Sequence, residues 1–508
     1  MPATGTMPPM PASAQGSARG SEPSGRGPAR VLLVTSNGAG MGHLTRLLSV
    51  ALAGGDRLAA TMFSMSVALP VITEQGMPGE YCPSVDRGWM SGPRWHGYLR
   101  DRILAIVTEI EADLVVFDGV APYPGIGMAR HRLPHVGFVW VRRAMWQPGV
   151  NASQLSKSTL FDLIIEPGDL ADAADLGPTS GRADATRIGP ISMLDVVTPL
   201  PRIEAAAALG LDPERPTVLV TLGSGRLGDV AEPGRVVVET LLEHPEWQIA
   251  VTKAAIAQQH IPIVDRDRIV ELHGIYPLVR YLPAFDAVVS AAGYNAVHEF
   301  IPAGLPTLLV PNPATRTDDQ VTRADHLAGE GLALSAHPDS AQALAGGARR
   351  LLQPGVGDSL RTQIASLDPG RRSGGAAATA NLLEDLATRF VHTPPPAVEQ
   401  ARRGWRWAKE QVKSGLGTRG TNAVRKVLGR PPVSTGPAGR LPVRLVSDVR
   451  ALSSNQSTTT TLVFSDRIPP EVLRDGPPVE HLLAGASPEY LAERRRITET
   501  YYDVTNRQ

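Results

Sequence analysis

A glycine-rich loop near the start of the chain carries a histidine that could act as a base. Residues 36–43 read Ser-Asn-Gly-Ala-Gly-Met-Gly-His and follow a short apolar run. Three glycines, which let a backbone turn sharply and approach a ligand closely, stand at Gly38, Gly40 and Gly42. His43, in the first turn of the helix that follows, could deprotonate a hydroxyl near neutral pH, because a free imidazole has a pKa of about 6.5. The alternative is a histidine that only bonds the backbone at a helix start.

A carboxylate follows a second apolar run in the same half of the chain. Residues 114–117 read Leu-Val-Val-Phe, and Asp118 comes next. The carboxyl ends of parallel strands meet at one edge of a sheet, so Asp118 could lie beside His43. A carboxylate on the far ring nitrogen would fix the tautomer and stabilise the imidazolium, as in a His–Asp dyad. Alternatively, Asp118 only caps the segment that follows its strand.

The second half of the chain holds residues suited to a nucleotide. Gly293 comes three residues after the apolar run 287–290 and begins a helix, where free backbone N–H groups favour a diphosphate. Glu299 comes six residues later and could accept hydrogen bonds from ribose hydroxyls. A polar stretch at 311–320 could hold a sugar. Each piece, taken singly, is also ordinary punctuation between a strand and a helix.

Short apolar runs separated by helical patterns must position these residues. The runs form two series: 31–35, 60–64, 114–117, 135–140 and 163–165, then 218–222, 247–252, 269–272, 287–290 and 307–310. Near-continuous apolar strands alternating with helices predict parallel sheets covered on both faces. We therefore predict an α/β protein with two doubly wound, Rossmann-like domains (30–195 and 196–390) that face a cleft.

The two ends of the chain differ from these domains. Residues 1–29 are rich in proline and glycine without apolar periodicity, which predicts a disordered tail. Residues 391–508 form an extension whose fold we do not predict, apart from a helix from Ser487 onward. Within it, segment 401–430 carries nine basic residues and one acid. This basic segment could lie on an anionic membrane surface, although such a run is more often a solvated face.

Composition excludes several classes of protein. The 508 residues hold 50 Lys+Arg and 50 Asp+Glu, which argues against a nucleic-acid binder. The single cysteine, Cys82, cannot form an intrachain disulfide. No apolar run approaches the length of about 18 residues that a membrane span needs. We predict a cytoplasmic protein, peripheral at the inner face of the cell membrane if the basic segment binds there.

Together, the motifs resemble the two-domain (GT-B) glycosyltransferases of the family-28 type, which includes the peptidoglycan N-acetylglucosaminyltransferase. The resemblance covers roughly residues 30–390 and is strongest over 275–331. The matching positions there include Asp286, Gly293, Glu299, Gly304, Pro306, Pro311 and Gln320. The Gly-Met-Gly-His-Leu-Thr-Arg at 40–46 matches the family's acceptor-side loop, so 30–195 would be the acceptor-side domain and 196–390 the donor-binding domain.

The resemblance implies a role for each matching residue. Ile275 occupies the position whose backbone contacts uracil, and Glu299 that of the ribose-binding glutamate. The diphosphate loop corresponds to Gly223, Ser224 and Gly225. The donor sugar's hydroxyls would be held by Asp319 and Gln320. His43 would be the general base, with Asp118 as its dyad partner.

The implied reaction is direct displacement of UDP from a UDP-sugar, such as UDP-N-acetylglucosamine, by an acceptor hydroxyl, with inversion. The UDP-sugar is a co-substrate, and we expect neither a cofactor nor an essential metal. This chain has Ala-Ala-Gly at 291–293 where the peptidoglycan enzyme has Arg-Ser-Gly, so the sugar stays open. The acceptor, whether small molecule, glycan or lipid-linked, is not predicted, since the loops at 81–97 and 142–150 carry no motif. A nucleotide-sugar 2-epimerase and a non-catalytic nucleotide-sugar-binding protein are the alternatives.

Overall fold

A computed structural model describes most of the two predicted domains and one C-terminal helix. The described residues are 27–36, 41–73, 75–87, 90–223, 225, 228–253, 259, 261–262, 265, 268–390, 483 and 485–501. Predictions that fall outside them concern Gly38, Gly40 and Ser224, nearly all of the tail at 1–29, and the basic segment.

The chain forms two parallel sheets, as predicted. The first sheet has the order β3-β2-β1-β4-β5-β6-β7 and the second β10-β9-β8-β11-β12-β13. The strands of the first are β1 (Ala29–Thr35), β2 (Leu58–Ser64), β3 (Gly79–Tyr81), β4 (Leu114–Asp118), β5 (Gly137–Val141), β6 (Leu163–Pro167) and β7 (Thr186–Ile188). Those of the second are β8 (Thr217–Thr221), β9 (Gln248–Lys253), β10 (Ile269–His273), β11 (Ala287–Ala291), β12 (Thr307–Val310) and β13 (Leu334–Ser335).

Each of the predicted apolar runs is a strand, with bounds that shift by no more than about two residues. The sequence prediction missed β3, β7 and β13, which lie at sheet edges. Two or three residues are too few to show a periodic pattern. Burial explains the runs that were found, because the central strands β1, β4 and β5 are covered on both faces and expose almost no side chain.

Helices cover both sheets. Those of the first half are α1 (Gly42–Gly54), α2 (Leu69–Thr73), α3 (Gly92–Glu109) and α4 (Pro124–Arg130). The second half has α5 (Arg202–Leu209), α6 (Ala231–Leu241), α7 (Tyr294–Phe300), α8 (Gln320–Gly329), α9 (Ala341–Leu351), α10 (Val356–Ala365), α11 (Pro369–Arg372) and α12 (Gly375–Ala387). The C-terminal helix is α13 (Pro488–Tyr501). Among the described residues, no helix combines the length and apolarity that crossing a membrane requires.

The chain returns to the first sheet after it completes the second. Helix α12 packs against α1, β1 and β7, and its buried Ala380 and Leu383 join the core that lies under α1. The segment 196–390 therefore supplies one helix to the neighbouring domain.

Helix α13 also packs on the first half of the chain. It lies along α3, where Tyr490 and Ile497 are buried in the core. The buried Glu80 accepts hydrogen bonds from Tyr490 Oη (2.6 Å), Arg494 Nε (2.9 Å) and Arg102. The predicted helix start is confirmed, because Ser487 Oγ accepts from the Tyr490 N–H at 3.1 Å. Part of the C-terminal extension is thus integral to the N-terminal core.

Candidate active site

The structure brings together the histidine and the carboxylate that the sequence singles out. Strands β1 and β4 are adjacent, and Thr35 pairs with Asp118 at their carboxyl ends. The loop after β1 leads into α1, whose second residue is His43. His43 Nδ1 lies 2.7 Å from Asp118 Oδ1, and the histidine side chain keeps 14% of its surface exposed. This geometry fits a base that uses Nδ1 to bond its carboxylate and keeps Nε2 for a substrate.

Arg46 is a third member of this group that sequence reasoning missed. Its Nε donates to Asp118 Oδ2 (2.9 Å) and its Nη2 donates to Asp118 Oδ1 (2.7 Å). Nη2 also lies 2.8 Å from His43 Nδ1. The signal was present in the sequence, because residues three apart on a helix share a face and Arg46 follows His43 by three.

The charges in this group set the protonation of the dyad. Burial alone would raise the pKa of Asp118, but the charges of Arg46 and His43 outweigh it and hold that pKa below its usual value. Burial lowers the pKa of His43, and the positive charges of Arg46 and Arg143 lower it further against the opposing pull of Asp118. His43 is therefore a neutral imidazole beside an ionised carboxylate at neutral pH.

The second sheet presents the donor-side residues. Gly293 directly precedes α7 and has an extended backbone. A Cβ at Gly293 would meet only Gln320 Nε2, at 3.9 Å, which shows that there is open space on that side. Gly223 and Gly225, beyond β8, have φ angles of 91° and 66°, which other residues rarely adopt. Ser224 between them lies outside the described residues.

Glu299 is a carboxylate without a partner in this half of the site. It lies on α7 and makes no hydrogen bond or ion pair within the part of the chain that the structure describes. Burial raises its pKa to about 8. Tyr276, adjacent to Ile275, is the residue whose hydroxyl senses the Glu299 charge. Ile275 and Glu299 therefore lie in the same region, as uracil and ribose contacts must.

The sugar-loop residues divide between two roles. Asp319 caps α8, since its carboxylate accepts from the Thr322 N–H (3.1 Å) and from Thr322 Oγ1 (2.8 Å). Gln320 Oε1 accepts from the Asn312 N–H at 3.1 Å, and its amide nitrogen faces Gly293. Gln320 thus borders the space beside Gly293, but its Nε2 also donates to Asp318 Oδ2 at 3.2 Å, so both Asp319 and Gln320 already have protein partners.

The two halves meet at the candidate site. Asn295 Nδ2 donates to the Gly42 carbonyl at 3.4 Å, and Thr45 Oγ1 lies 3.2 Å from Tyr276 Oη. The start of α1, with His43, is therefore adjacent to the start of α7. Further across, Arg143 binds Asp318 at 2.8 Å.

The loops predicted to face the acceptor and the donor sugar are bonded to each other. An antiparallel bridge joins Trp146 and Asp318, and the Gln147 N–H donates to the Thr317 carbonyl at 2.7 Å. This contact joins the two halves of the described chain at a second place. Among the described residues, no cluster of three or more His, Cys, Asp or Glu side chains is arranged to hold a metal ion.

No protein-family model matches the chain. Two curated relatives are both named UDP-N-acetylglucosamine--N-acetylmuramyl-(pentapeptide) pyrophosphoryl-undecaprenol N-acetylglucosamine transferase. The one from Azotobacter vinelandii is 38% identical over 98 residues, which is 16% of this chain and 27% of the relative. The one from Phocaeicola vulgatus is 29% identical over 178 residues, 33% of this chain and 46% of the relative. The chain therefore matches less than half the length of either relative.

Solved structures similar to this chain include glycosyltransferases and an epimerase. The glycotransferase of kitacinnamycin has 17% identity and a TM-score of 0.49, over 71% of this chain and 99% of that one. MurG of Acinetobacter baumannii has 18% identity and a TM-score of 0.46, over 70% of this chain and 100% of that one. A putative UDP-N-acetylglucosamine 2-epimerase from Listeria monocytogenes has 12% identity and a TM-score of 0.49, over 73% of this chain and 99% of that one. The resemblance to family-28 N-acetylglucosaminyltransferases that the motifs predict is thus confirmed by curated relatives over part of the chain.

Proposed function

We propose that this protein is a glycosyltransferase that moves a sugar from a UDP-sugar to an acceptor hydroxyl, with inversion, using His43 as the general base. One observation carries the proposal. The His43–Asp118 pair, at the start of α1, lies next to the start of α7, where Asn295 bonds the Gly42 carbonyl. A base from one domain is thereby held beside the helix start expected to bind the donor in the other.

The dyad supplies the base. With Nδ1–H donated to Asp118, His43 Nε2 holds the lone pair that takes the acceptor's hydroxyl proton. The acceptor oxygen then bonds to the anomeric carbon on the side opposite the diphosphate. The bond from that carbon to the diphosphate oxygen breaks, and UDP leaves with the electron pair. A single displacement of this kind inverts the anomeric centre.

The donor half binds the UDP-sugar through side chains and backbone N–H groups that lie beyond the carboxyl ends of the second sheet. The Glu299 carboxylate accepts from the ribose hydroxyls, and the backbone at Ile275 contacts the uracil. Backbone N–H groups at Gly293, Gly223 and Gly225 bind the diphosphate and stabilise its charge as UDP leaves. Asp319 and Gln320 hold the hydroxyls of the donor sugar, and Asp319 also caps the helix that carries Gln320.

The relatives suggest which substrates to test first. Both are named for UDP-N-acetylglucosamine as donor and for an undecaprenol-linked acceptor. We therefore assign UDP-N-acetylglucosamine as the donor and a lipid-linked acceptor at the cytoplasmic face of the membrane. The basic segment at 401–430 would add the membrane contact.

The test is an assay of the full chain with UDP-sugars and a membrane lipid extract. We expect release of UDP and transfer of the sugar to lipid. His43→Ala should abolish transfer but still bind UDP, because the histidine does not hold the nucleotide. His131→Ala, at an exposed histidine of the same domain, should behave as wild type.

Three results contradict the proposal. Unchanged turnover by His43→Ala rules out the base. Epimerised UDP-sugar without released UDP makes the protein a 2-epimerase. Binding without turnover across donors and acceptors makes it a non-catalytic nucleotide-sugar-binding protein.

A further inference from the structure

We propose that Arg46 is a positioning residue that holds His43 in the tautomer required of a base and that links this arrangement to the donor-binding domain. The inference rests on the proposed function for its kinetic consequences. The geometry on which the inference is based does not depend on the proposed function. Arg46 is 2% exposed, and each of its three guanidinium nitrogens lies near a residue of the candidate site.

Three atoms at the centre of this group lie within hydrogen-bond distance of one another. His43 Nδ1 is 2.7 Å from Asp118 Oδ1 and 2.8 Å from Arg46 Nη2, and that nitrogen is 2.7 Å from the same Oδ1. Nδ1 cannot donate to the carboxylate and accept from the guanidinium at once. If Nδ1 carries the proton, Nε2 is free to act as a base. If Arg46 donates to Nδ1, the proton sits on Nε2 and the base is lost.

The bidentate contact of Arg46 with Asp118 decides between these two tautomers of His43. Arg46 Nε binds Oδ2 and Nη2 binds Oδ1, so the guanidinium neutralises the carboxylate and fixes its plane. An ionised Oδ1 in that plane is a strong acceptor for Nδ1–H. The arginine therefore favours the active tautomer through the carboxylate that it orients.

The charges around His43 act in the same direction. The groups that face it are Asp118 from β4, Arg46 from its own helix and Arg143 from the loop after β5. Both arginines disfavour the imidazolium, and they lower the pKa of His43 together with burial. Removal of Arg46 should therefore raise the pKa of His43, because Asp118 would then act on it with less opposition.

The donor-binding domain holds the other side of the guanidinium. Arg46 Nη1 lies 3.5 Å from Asn295 Oδ1, and its Cζ lies 5.2 Å from the centroid of the Tyr294 ring. Both residues belong to the first turn of α7, directly after Gly293. The arginine thus bridges the helix start expected to bind the diphosphate and the carboxylate that orients the base.

The experiment measures the tautomer and pKa of His43 by NMR of histidine-labelled full-length protein, with the resonance assigned by its loss in His43→Gln. We expect wild type to carry the proton on Nδ1. In Arg46→Met the pKa should rise by about one unit, and the Nε2–H form should become populated. The matched control is Arg57→Met, whose arginine pairs with Glu384 at a position where both side chains are more than 40% exposed.

Kinetics give the second readout. Arg46→Met should lower kcat about tenfold at pH 7 and move the acid limb of the pH profile upward, while the KM for the UDP-sugar changes little. Arg46→Lys keeps the positive charge but cannot make the bidentate contact with Asp118. It should therefore retain the low pKa of His43 and still show the Nε2–H form of that histidine. This second variant provides the tautomer test if Arg46→Met does not fold.

An unchanged tautomer in both variants, or an unchanged His43 pKa in a folded Arg46→Met protein, overturns the inference. Its failure is separable from that of the proposed function. A wild-type protein without turnover refutes the transferase, whereas the NMR comparison needs no turnover and still tests Arg46.

Discussion

Binding of UDP should depend on pH through Glu299. Burial raises the pKa of this carboxyl to about 8, and no protein group in the described part of the chain offers it a hydrogen bond or a counter-charge. In the proposed complex, ribose hydroxyls donate to the carboxylate and stabilise its charged form. The nucleotide therefore binds the ionised state, and binding near neutral pH should release a proton.

The expected size follows from the titration. With a pKa of about 8, roughly one eleventh of the free protein is ionised at pH 7 and roughly ten elevenths at pH 9. The affinity for UDP should therefore rise about tenfold between these values, or about 1.4 kcal/mol. The sign is fixed, because protonation of Glu299 opposes binding and affinity is lost as the pH falls below 8.

Isothermal titration calorimetry with UDP measures this directly. At pH 7, in two buffers of different ionisation enthalpy, it should report close to one proton released per UDP. Glu299→Gln should bind more weakly at pH 9 and show little change with pH. The last ionisation of a phosphate lies at about pH 6 and affects both proteins alike over pH 7–9.

A matched control is Glu204→Gln, at an exposed glutamate of the same domain, which should keep the wild-type profile. An affinity for UDP that is flat from pH 7 to 9 in wild type would refute the reasoning. So would a Glu299→Gln variant that keeps the tenfold slope.

Two further predictions concern the C-terminal extension. Glu80→Gln leaves the two guanidiniums that bind this buried carboxylate without a counter-charge, and should lower the free energy of unfolding by about 3–5 kcal/mol in urea denaturation. The control is Glu384→Gln, at an exposed ion pair, which should lower it by less than about 1 kcal/mol. Equal losses in the two variants would contradict the role of the buried network. Replacing the nine basic residues of 401–430 by glutamine should weaken binding to anionic liposomes about tenfold or more, without changing UDP affinity, whereas equal binding would end the membrane proposal.

The tertiary structure explains why the liposome experiment uses substitutions and not a deletion. Deletion of 396–508 would remove the basic segment, but it would also remove α13, which fills part of the N-terminal core. A loss of liposome binding could then reflect a damaged domain. Substitution within 401–430 avoids this, because it leaves Tyr490 and Arg494 on Glu80.

The sequence alone determined the two-sheet architecture and the proximity of His43 to Asp118. Apolar runs report strands because each central strand is buried on both faces, a property that each run carries locally. The placement of His43 near Asp118 was also predictable, since parallel strands bring their carboxyl ends to one edge. The Asp319 cap was not predicted, since the resemblance gave Asp319 only as a sugar contact, although an Asp at a helix start is a common cap.

Tertiary structure decided what depends on distant partners. The spacing of Arg46 from His43 places the two on one helix face, but it does not indicate that Arg46 binds a carboxylate 72 residues away with two nitrogens or approaches Asn295 249 residues away. Helix α12 packs against α1, β1 and β7, and helix α13 packs along α3, and the amphipathic pattern of either helix cannot specify these partners. Glu299 has no partner among the described residues, and this and its raised pKa likewise follow from what surrounds it and not from its position in a motif.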